Sequence, residues 1–173
     1  GEGNEDNGGD TVDYSSVNAG VKVTLGESGI TTDVQISNIN DHEIKDIENV
    51  TGTNEKDEIT GNSEDNIIYG NKEDDVLTGK AGDDKLYGGD EDDTLSGGAG
   101  DDSLDGGIGI DTVDHSNATE DLTVDITDGS KFISASQGTD TFEDIEGIIG
   151  GSGDDELTGN AGENTLIGNA GDD

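Results

Sequence analysis

Residues 97–105 read GGAGDDSLD, and the nonapeptides beside them keep the same frame. From Gly52 to Asp114 seven consecutive blocks run GTNEKDEIT, GNSEDNIIY, GNKEDDVLT, GKAGDDKLY, GGDEDDTLS, GGAGDDSLD and GGIGIDTVD. The first position is always glycine: Gly52, Gly61, Gly70, Gly79, Gly88, Gly97 and Gly106. The eighth is always aliphatic: Ile59, Ile68, Leu77, Leu86, Leu95, Leu104 and Val113. The sixth is Asp57, Asp75, Asp84, Asp93, Asp102 or Asp111, with Asn66 as the single exception. Three columns held in register make this a repeat architecture.

A helix cannot use this period. At about 100° per residue, a nine-residue step turns each aliphatic side chain to the opposite face, so no apolar stripe forms. Short strands joined by glycine-rich turns do fit. In a triplet such as Lys85-Leu86-Tyr87 the central side chain points inward and its neighbours outward. Two such half-turns make an 18-residue coil, and strands one coil apart stack in parallel at about 4.8 Å.

Composition then asks what holds such a coil together. Seven Lys plus Arg face 44 Asp plus Glu, the net charge is −37, and only 26% of residues are hydrophobic. Nucleic acid and anionic membrane surfaces are repelled by that charge, and no apolar run approaches the roughly 18 residues of a membrane span. With no cysteine, disulfides and thiolate metal sites are both excluded. Cations are the natural partners.

Stacking places Asp57, Asp75, Asp93 and Asp111 along one edge of the roll, and Asn66, Asp84 and Asp102 along the other. A hard dication between successive loops turns the repulsion of these carboxylates into coordination. Ca²⁺ suits the role, since it accepts six to eight oxygens in flexible geometry.

These blocks resemble the RTX family, whose nonapeptide GGxGxDxUx forms a calcium-bound parallel β-roll; the match is closest at 79–87, 97–105 and 106–114. The resemblance implies an all-β, right-handed parallel β-roll or β-solenoid with Ca²⁺ between stacked loops. It makes the sixth-position residue a ligand shared between loops one turn apart, with backbone carbonyls completing each shell. It therefore expects about five to eight calcium ions, with three on the Asp57/Asp75/Asp93/Asp111 edge and two on the other. Position four departs from the motif: Glu55, Glu64, Glu73 and Glu91 replace glycine, and Asn66 lacks a charge. The early repeats are expected to bind calcium less tightly.

A larger repeat encloses the small one. DTVDYSSVNAGVKVTL (10–25) returns as DTVDHSNATEDLTVDI (111–126), and DIENVTG (46–52) as DIEGIIG (144–150). The organisation read from this is a long module at 1–51, the seven-nonapeptide roll at 52–114, a second long module at 115–149 and a resumed roll at 150–173, all one solenoid. In the resumed roll Asp155 and Asp173 face each other across one turn, with Asn164 on the opposite edge. The pattern stops at GNAGDD (168–173), as expected of a piece of a longer protein.

For catalysis the chain offers little: His42 and His115 are its only imidazoles, and neither sits in a metal or triad spacing. His115 occupies the place of Tyr14 in the other module and reads as a packing residue. Tyr69 and Tyr87, 18 residues apart, read as a cross-strand ladder. Asp74, Asp92 and Asp101, outside position six, read as a solvated face. The expected function is a calcium-dependent structural or adhesive extender of a secreted or cell-surface bacterial protein, not an enzyme, meeting neighbouring copies or tandem modules end to end. The alternatives are a calcium-triggered folding module of an exported enzyme or toxin, and an ice- or glycan-binding solenoid.

Overall fold

In the computed structural model of the chain, residues 9–27, 32–36, 39–44, 46–127, 132–133 and 137–173 are described. Portions of both long modules therefore lie outside the described residues. Secondary structure among the described residues is all strand. In chain order the strands are β1 (Thr11–Asp13), β2 (Val21–Thr24), β3 (Thr32–Ile36), β4 (Ile39–Ile44), β5 (Asn49–Thr51), β6 (Glu58–Thr60), β7 (Ile67–Lys72), β8 (Val76–Ala81) and β9 (Lys85–Asp90). They continue as β10 (Thr94–Ala99), β11 (Ser103–Ile108), β12 (Thr112–Asp114), β13 (Thr123–Asp125), β14 (Phe132–Ile133), β15 (Thr141–Glu143), β16 (Gly147–Ile149), β17 (Glu156–Thr158) and β18 (Thr165–Ile167).

Alternate half-turns build two opposed sheets. One runs β1-β5-β7-β9-β11-β15 and the other β18-β16-β12-β10-β8-β6-β2-β3-β4, while β14-β13-β17 form a third. Every pairing within the nonapeptide region is parallel and in strict register, so Ile68 lies beside Leu86 and Leu86 beside Leu104, with Leu77 beside Leu95 on the opposite sheet. This fold is the parallel β-roll expected from the repeat. In the middle of the roll, β7 to β11 extend past the xUx triplet through the glycines of the next block, which the triplet alone did not suggest.

All seven eighth-position side chains are buried to 1% exposure or less, forming a single column between the sheets. Tyr69 and Tyr87 stack on the outer face, ring centroids 4.7 Å apart and planes 8° from parallel. Position nine is the outward side of each triplet, and two aromatic rings on neighbouring strands fall there into offset-stacking distance.

The long modules match each other hydrogen bond for hydrogen bond. Tyr14 N–H donates to Thr51 O at 2.8 Å as His115 N–H donates to Ile149 O at 2.8 Å, and Leu25 N–H to Thr60 O at 2.7 Å as Ile126 N–H to Thr158 O at 2.9 Å. His115 is buried and meets the Phe142 ring edge-on at 6.2 Å. Burial holds its imidazole near a pKa of about 4, hence neutral, so it packs where Tyr14 packs in the first module. Parallel stacking gives way at β2-β3-β4 and β13-β14, which pair antiparallel.

With one aliphatic residue per strand, the column has no redundancy. Leu95→Ala is expected to lower the stability of the calcium-loaded roll by about 2–5 kcal/mol, whereas Ile108→Ala, at a side chain 72% exposed, changes it by less than about 0.5 kcal/mol. Chemical denaturation followed by far-UV circular dichroism measures both.

Candidate metal centre

The sixth-position side chains turn inward and lie on the coil-to-coil hydrogen-bond path. On one edge Asp57 N–H donates to Asp75 Oδ1 at 2.7 Å, Asp75 to Asp93 at 2.7 Å and Asp93 to Asp111 at 2.8 Å. On the other, Asn66 N–H donates to Asp84 Oδ1 at 2.7 Å and Asp84 to Asp102 at 2.8 Å. Asp102 then donates to Asp140 Oδ1 at 3.0 Å, across 38 residues instead of 18. Each of these side chains is buried. In the resumed roll Asp155 is buried too, and its N–H reaches Asp173 Oδ1 at 3.0 Å, while Asp173 itself is exposed and Asn164 half-buried.

In six of these carboxylates one oxygen is thereby committed and the other is left over. Oδ2 of Asp75, Asp84, Asp93, Asp102, Asp111 and Asp140 is buried with no hydrogen-bond partner. Loss of solvation pushes these carboxyls up, Asp75 and Asp140 to about 8, Asp84 and Asp93 to about 7, Asp102 and Asp111 to about 6; the amide on Oδ1 pulls each back and neighbouring carboxylates push it further. Six partnerless acid oxygens demand either a proton or a cation.

The glycine column shows where a cation fits. A Cβ on Gly88 would overlap Asp93 Oδ2 and stand 2.6 Å from Gly106 O, one coil on. At Gly70 it would meet Asp75 Oδ2 and Gly88 O at 2.7 Å, and at Gly79 Asp84 Oδ2 and Gly97 O at 2.7 Å. Position one is glycine because a carboxylate and the next coil's carbonyl converge there. Among the described residues no three His, Asp or Glu side chains gather into a metal cluster, so an ion here must draw on backbone carbonyls as well. An all-oxygen donor set of this kind suits a hard dication.

Loop conformation divides the repeats into two kinds. In the blocks beginning at Gly70, Gly79, Gly88 and Gly97, positions two and four both have left-handed φ, including non-glycine Asn71 (89°), Glu73 (64°), Lys80 (92°) and Glu91 (77°). That backbone is strained for side-chain-bearing residues. The blocks at Gly52, Gly61 and Gly150 have no left-handed residue, and a main-chain amide occupies the second oxygen of Asp57 and Asp155 and the one side-chain oxygen of Asn66 instead. Thr53 N–H donates to Asp57 Oδ2 at 2.6 Å, Asn62 N–H to Asn66 Oδ1 at 2.8 Å and Gly151 N–H to Asp155 Oδ2 at 2.8 Å. Asn71 Nδ2 also reaches Gly52 O at 3.0 Å and Thr53 O at 3.1 Å, as Asn169 Nδ2 reaches Gly150 O at 2.7 Å. At Asn164 the amide donates to Asn160 Oδ1 at 2.9 Å while its own Oδ1 has no partner.

The repeat pattern does not disclose Asp140. It also hides an outer ladder at position five: Asp83 N–H donates to Asp65 Oδ1 and Asp101 N–H to Asp83 Oδ1, both at 2.9 Å, and Ile110 N–H to Asp92 Oδ1 at 2.9 Å. These carboxylates are solvated, as expected, yet each also ties two coils together.

The family profile of the RTX calcium-binding nonapeptide repeat, spanning four copies, matches residues 51–86, 78–113 and 148–173, together just over half of the chain. A search of curated proteins finds no match.

The raised carboxyls fix a pH dependence for the metal-free chain. Above the ordinary 3.8, folded Asp75, Asp84, Asp93, Asp102, Asp111 and Asp140 hold protons that the unfolded chain has released. Their stabilisation is complete below about pH 4 and is lost as pH rises through about 6 to 8. His115 works the other way, costing stability as pH falls below 6.5, but it is one group against six. In EDTA the residual β-structure read by far-UV circular dichroism at about pH 6 should exceed that at about pH 8.5; a β-signal that rises with pH would contradict the burial of these oxygens.

Proposed function

Because the chain belongs to the RTX calcium-binding nonapeptide repeat family, we propose that it is a calcium-dependent structural or adhesive extender of a secreted or cell-surface bacterial protein. Its coarse role is that of a calcium-binding structural module. The observation that carries the reading is the pair of buried columns in which six carboxylates each keep one oxygen without a protein partner. With calcium bound, these oxygens gain a counter-charge that the protein does not provide.

Within this reading Asp75, Asp84, Asp93, Asp102 and Asp111 are the side-chain ligands, joined by carbonyls such as those of Gly88, Gly97 and Gly106. Asp57 and Asp155 are rungs whose second oxygen already takes an amide, as does the one side-chain oxygen of Asn66, and all three bind calcium weakly or not at all. Asn164 and Asp173 complete the same pattern in the resumed roll. The stacking is uniform from coil to coil, as a spacer requires.

The test is a calcium titration followed by far-UV circular dichroism, with bound calcium counted by equilibrium dialysis. The chain is expected to gain β-structure at millimolar Ca²⁺ and to lose it in EDTA, with Mg²⁺ a poor substitute because it keeps its waters and demands octahedral geometry. Asp93→Ala, placed between Asp75 and Asp111, should weaken two sites. Asp57→Asn should leave the stoichiometry unchanged, and Asp92→Ala should cost only one outer hydrogen bond, about 0.5–1.5 kcal/mol, without loss of an ion. Equal calcium losses in all three variants would show that bulk charge, not a stacked-loop cage, does the binding.

A further inference from the structure

The nonapeptides break off at Asp114, yet residues 137–142 rebuild the loop of residues 99–104 contact by contact. Gly100 N–H donates to Gln137 O at 2.9 Å, as Gly82 N–H donates to Ala99 O at 2.9 Å. Gly138 has φ 95°, in the left-handed region with Gly100 and Gly82, and a Cβ on it would overlap Gly100 O as one on Gly100 would overlap Gly82 O. Thr139 N–H reaches Asp101 Oδ1 at 2.9 Å, matching Asp101 N–H to Asp83 Oδ1 at 2.9 Å. Thr141 N–H reaches Asp102 O at 2.8 Å, matching Ser103 N–H to Asp84 O at 2.9 Å. Phe142 lies beside Leu104 in the aliphatic column.

Asp140 stands in this loop as a sixth-position residue would. It is completely buried, its Oδ1 takes the Asp102 N–H, and its Oδ2 has no partner. The charges of Asp102 and Asp101 both act against a second negative charge there. Two acids on adjacent buried rungs, with one oxygen unmet on each, need a shared positive charge.

We propose that Asp140 and Asp102 hold an additional Ca²⁺ ion between the loop at 97–102 and the loop at 137–140, outside the segments matched by the family profile. The proposal rests on the calcium reading of the roll. Its consequence is a metal clamp on the second long module: the chain leaves the roll after β12, passes through β13, and is pinned back onto β11 at β15. The ion makes the module's return part of the same ladder.

Asp140→Asn removes the charge but keeps an oxygen that can accept the Asp102 N–H, so the fold has no reason to change. Asp144→Asn removes an equal charge four residues on, at an exposed side chain. Bound calcium is counted by equilibrium dialysis for wild type, both variants and Asp93→Asn, and hydrogen–deuterium exchange of residues 137–143 is compared with and without Ca²⁺. The expected result is one ion fewer per chain in Asp140→Asn, none fewer in Asp144→Asn, and calcium-dependent protection of 137–143 lost only in Asp140→Asn. Wild-type stoichiometry in Asp140→Asn alongside a loss in Asp93→Asn would overturn the added site and leave the roll's calcium binding intact. A wild-type chain that binds no calcium would overturn both.

Discussion

Each coil is fastened to the next by a backbone amide donating to a carboxylate oxygen, as in Asp93 N–H to Asp111 Oδ1 at 2.8 Å. The bond is charge-assisted and dry, hence strong. It also traps the acid indoors, where Oδ2 can neither reach water nor find a donor. Glycine at position one follows from this arrangement, since a side chain at Gly88 would fill the space bordered by Asp93 Oδ2 and Gly106 O. A net charge of −37 and a core of one aliphatic residue per strand leave little else to hold coils together. The feature that makes the stack specific thus also leaves buried oxygens that require a proton or a cation.

The loops at Gly52 and Gly61 show what the chain does where that dependence is relaxed. Thr53 and Asn62 each spend a main-chain amide on the sixth-position side chain, and the Asn66 amide donates to Glu48 O at 2.8 Å and Asn62 Oδ1 at 3.1 Å. These substitutes need no left-handed residues, so the backbone strain seen at Glu73 and Glu91 is absent there. In the blocks at Gly70, Gly79 and Gly88 a left-handed residue that bears a side chain accompanies the unmet oxygen, whereas in those at Gly97 and Gly106 the left-handed residues are glycines and the oxygen is unmet all the same. Every carboxylate with a buried unmet oxygen thus sits in a loop with a left-handed residue, whether or not glycine relieves the strain.

Three columns made most of this legible in the sequence. Glycine at one, acid at six and an aliphatic residue at eight fix the 18-residue register, the core and both carboxylate edges. The DTVD and DIE segments likewise announced that the long modules are copies. Asp140 escaped because only Gly138, Asp140 and Phe142 keep the pattern, and because 38 residues separate it from Asp102. The roles of Thr53 and Asn62 escaped because main-chain hydrogen bonding leaves no periodic mark. The antiparallel pairings of β2 with β3 and β3 with β4 were hidden for a similar reason: the segment between Leu25 and Asp46 repeats nothing.

Glutamate explains how the roll joins a long module without breaking the stack. After Asp111 the next rung on that edge is Glu146, whose Oε2 takes the Asp111 N–H at 3.0 Å. Before the roll Glu48 does the same for Asp10 N–H, at 2.6 Å. Both follow a left-handed Asp, Asp46 at φ 52° and Asp144 at φ 50°, and both lie in a corner shorter than a nonapeptide loop. Ile145 is buried inside its corner. Glu146 remains half-exposed, so its other oxygen can be met by water and needs no ion. Aspartate inside the roll and glutamate at its corners are therefore two lengths of one connector, the short one leaving an oxygen buried without a partner at six rungs and the long one, at Glu146, leaving its second oxygen within reach of water.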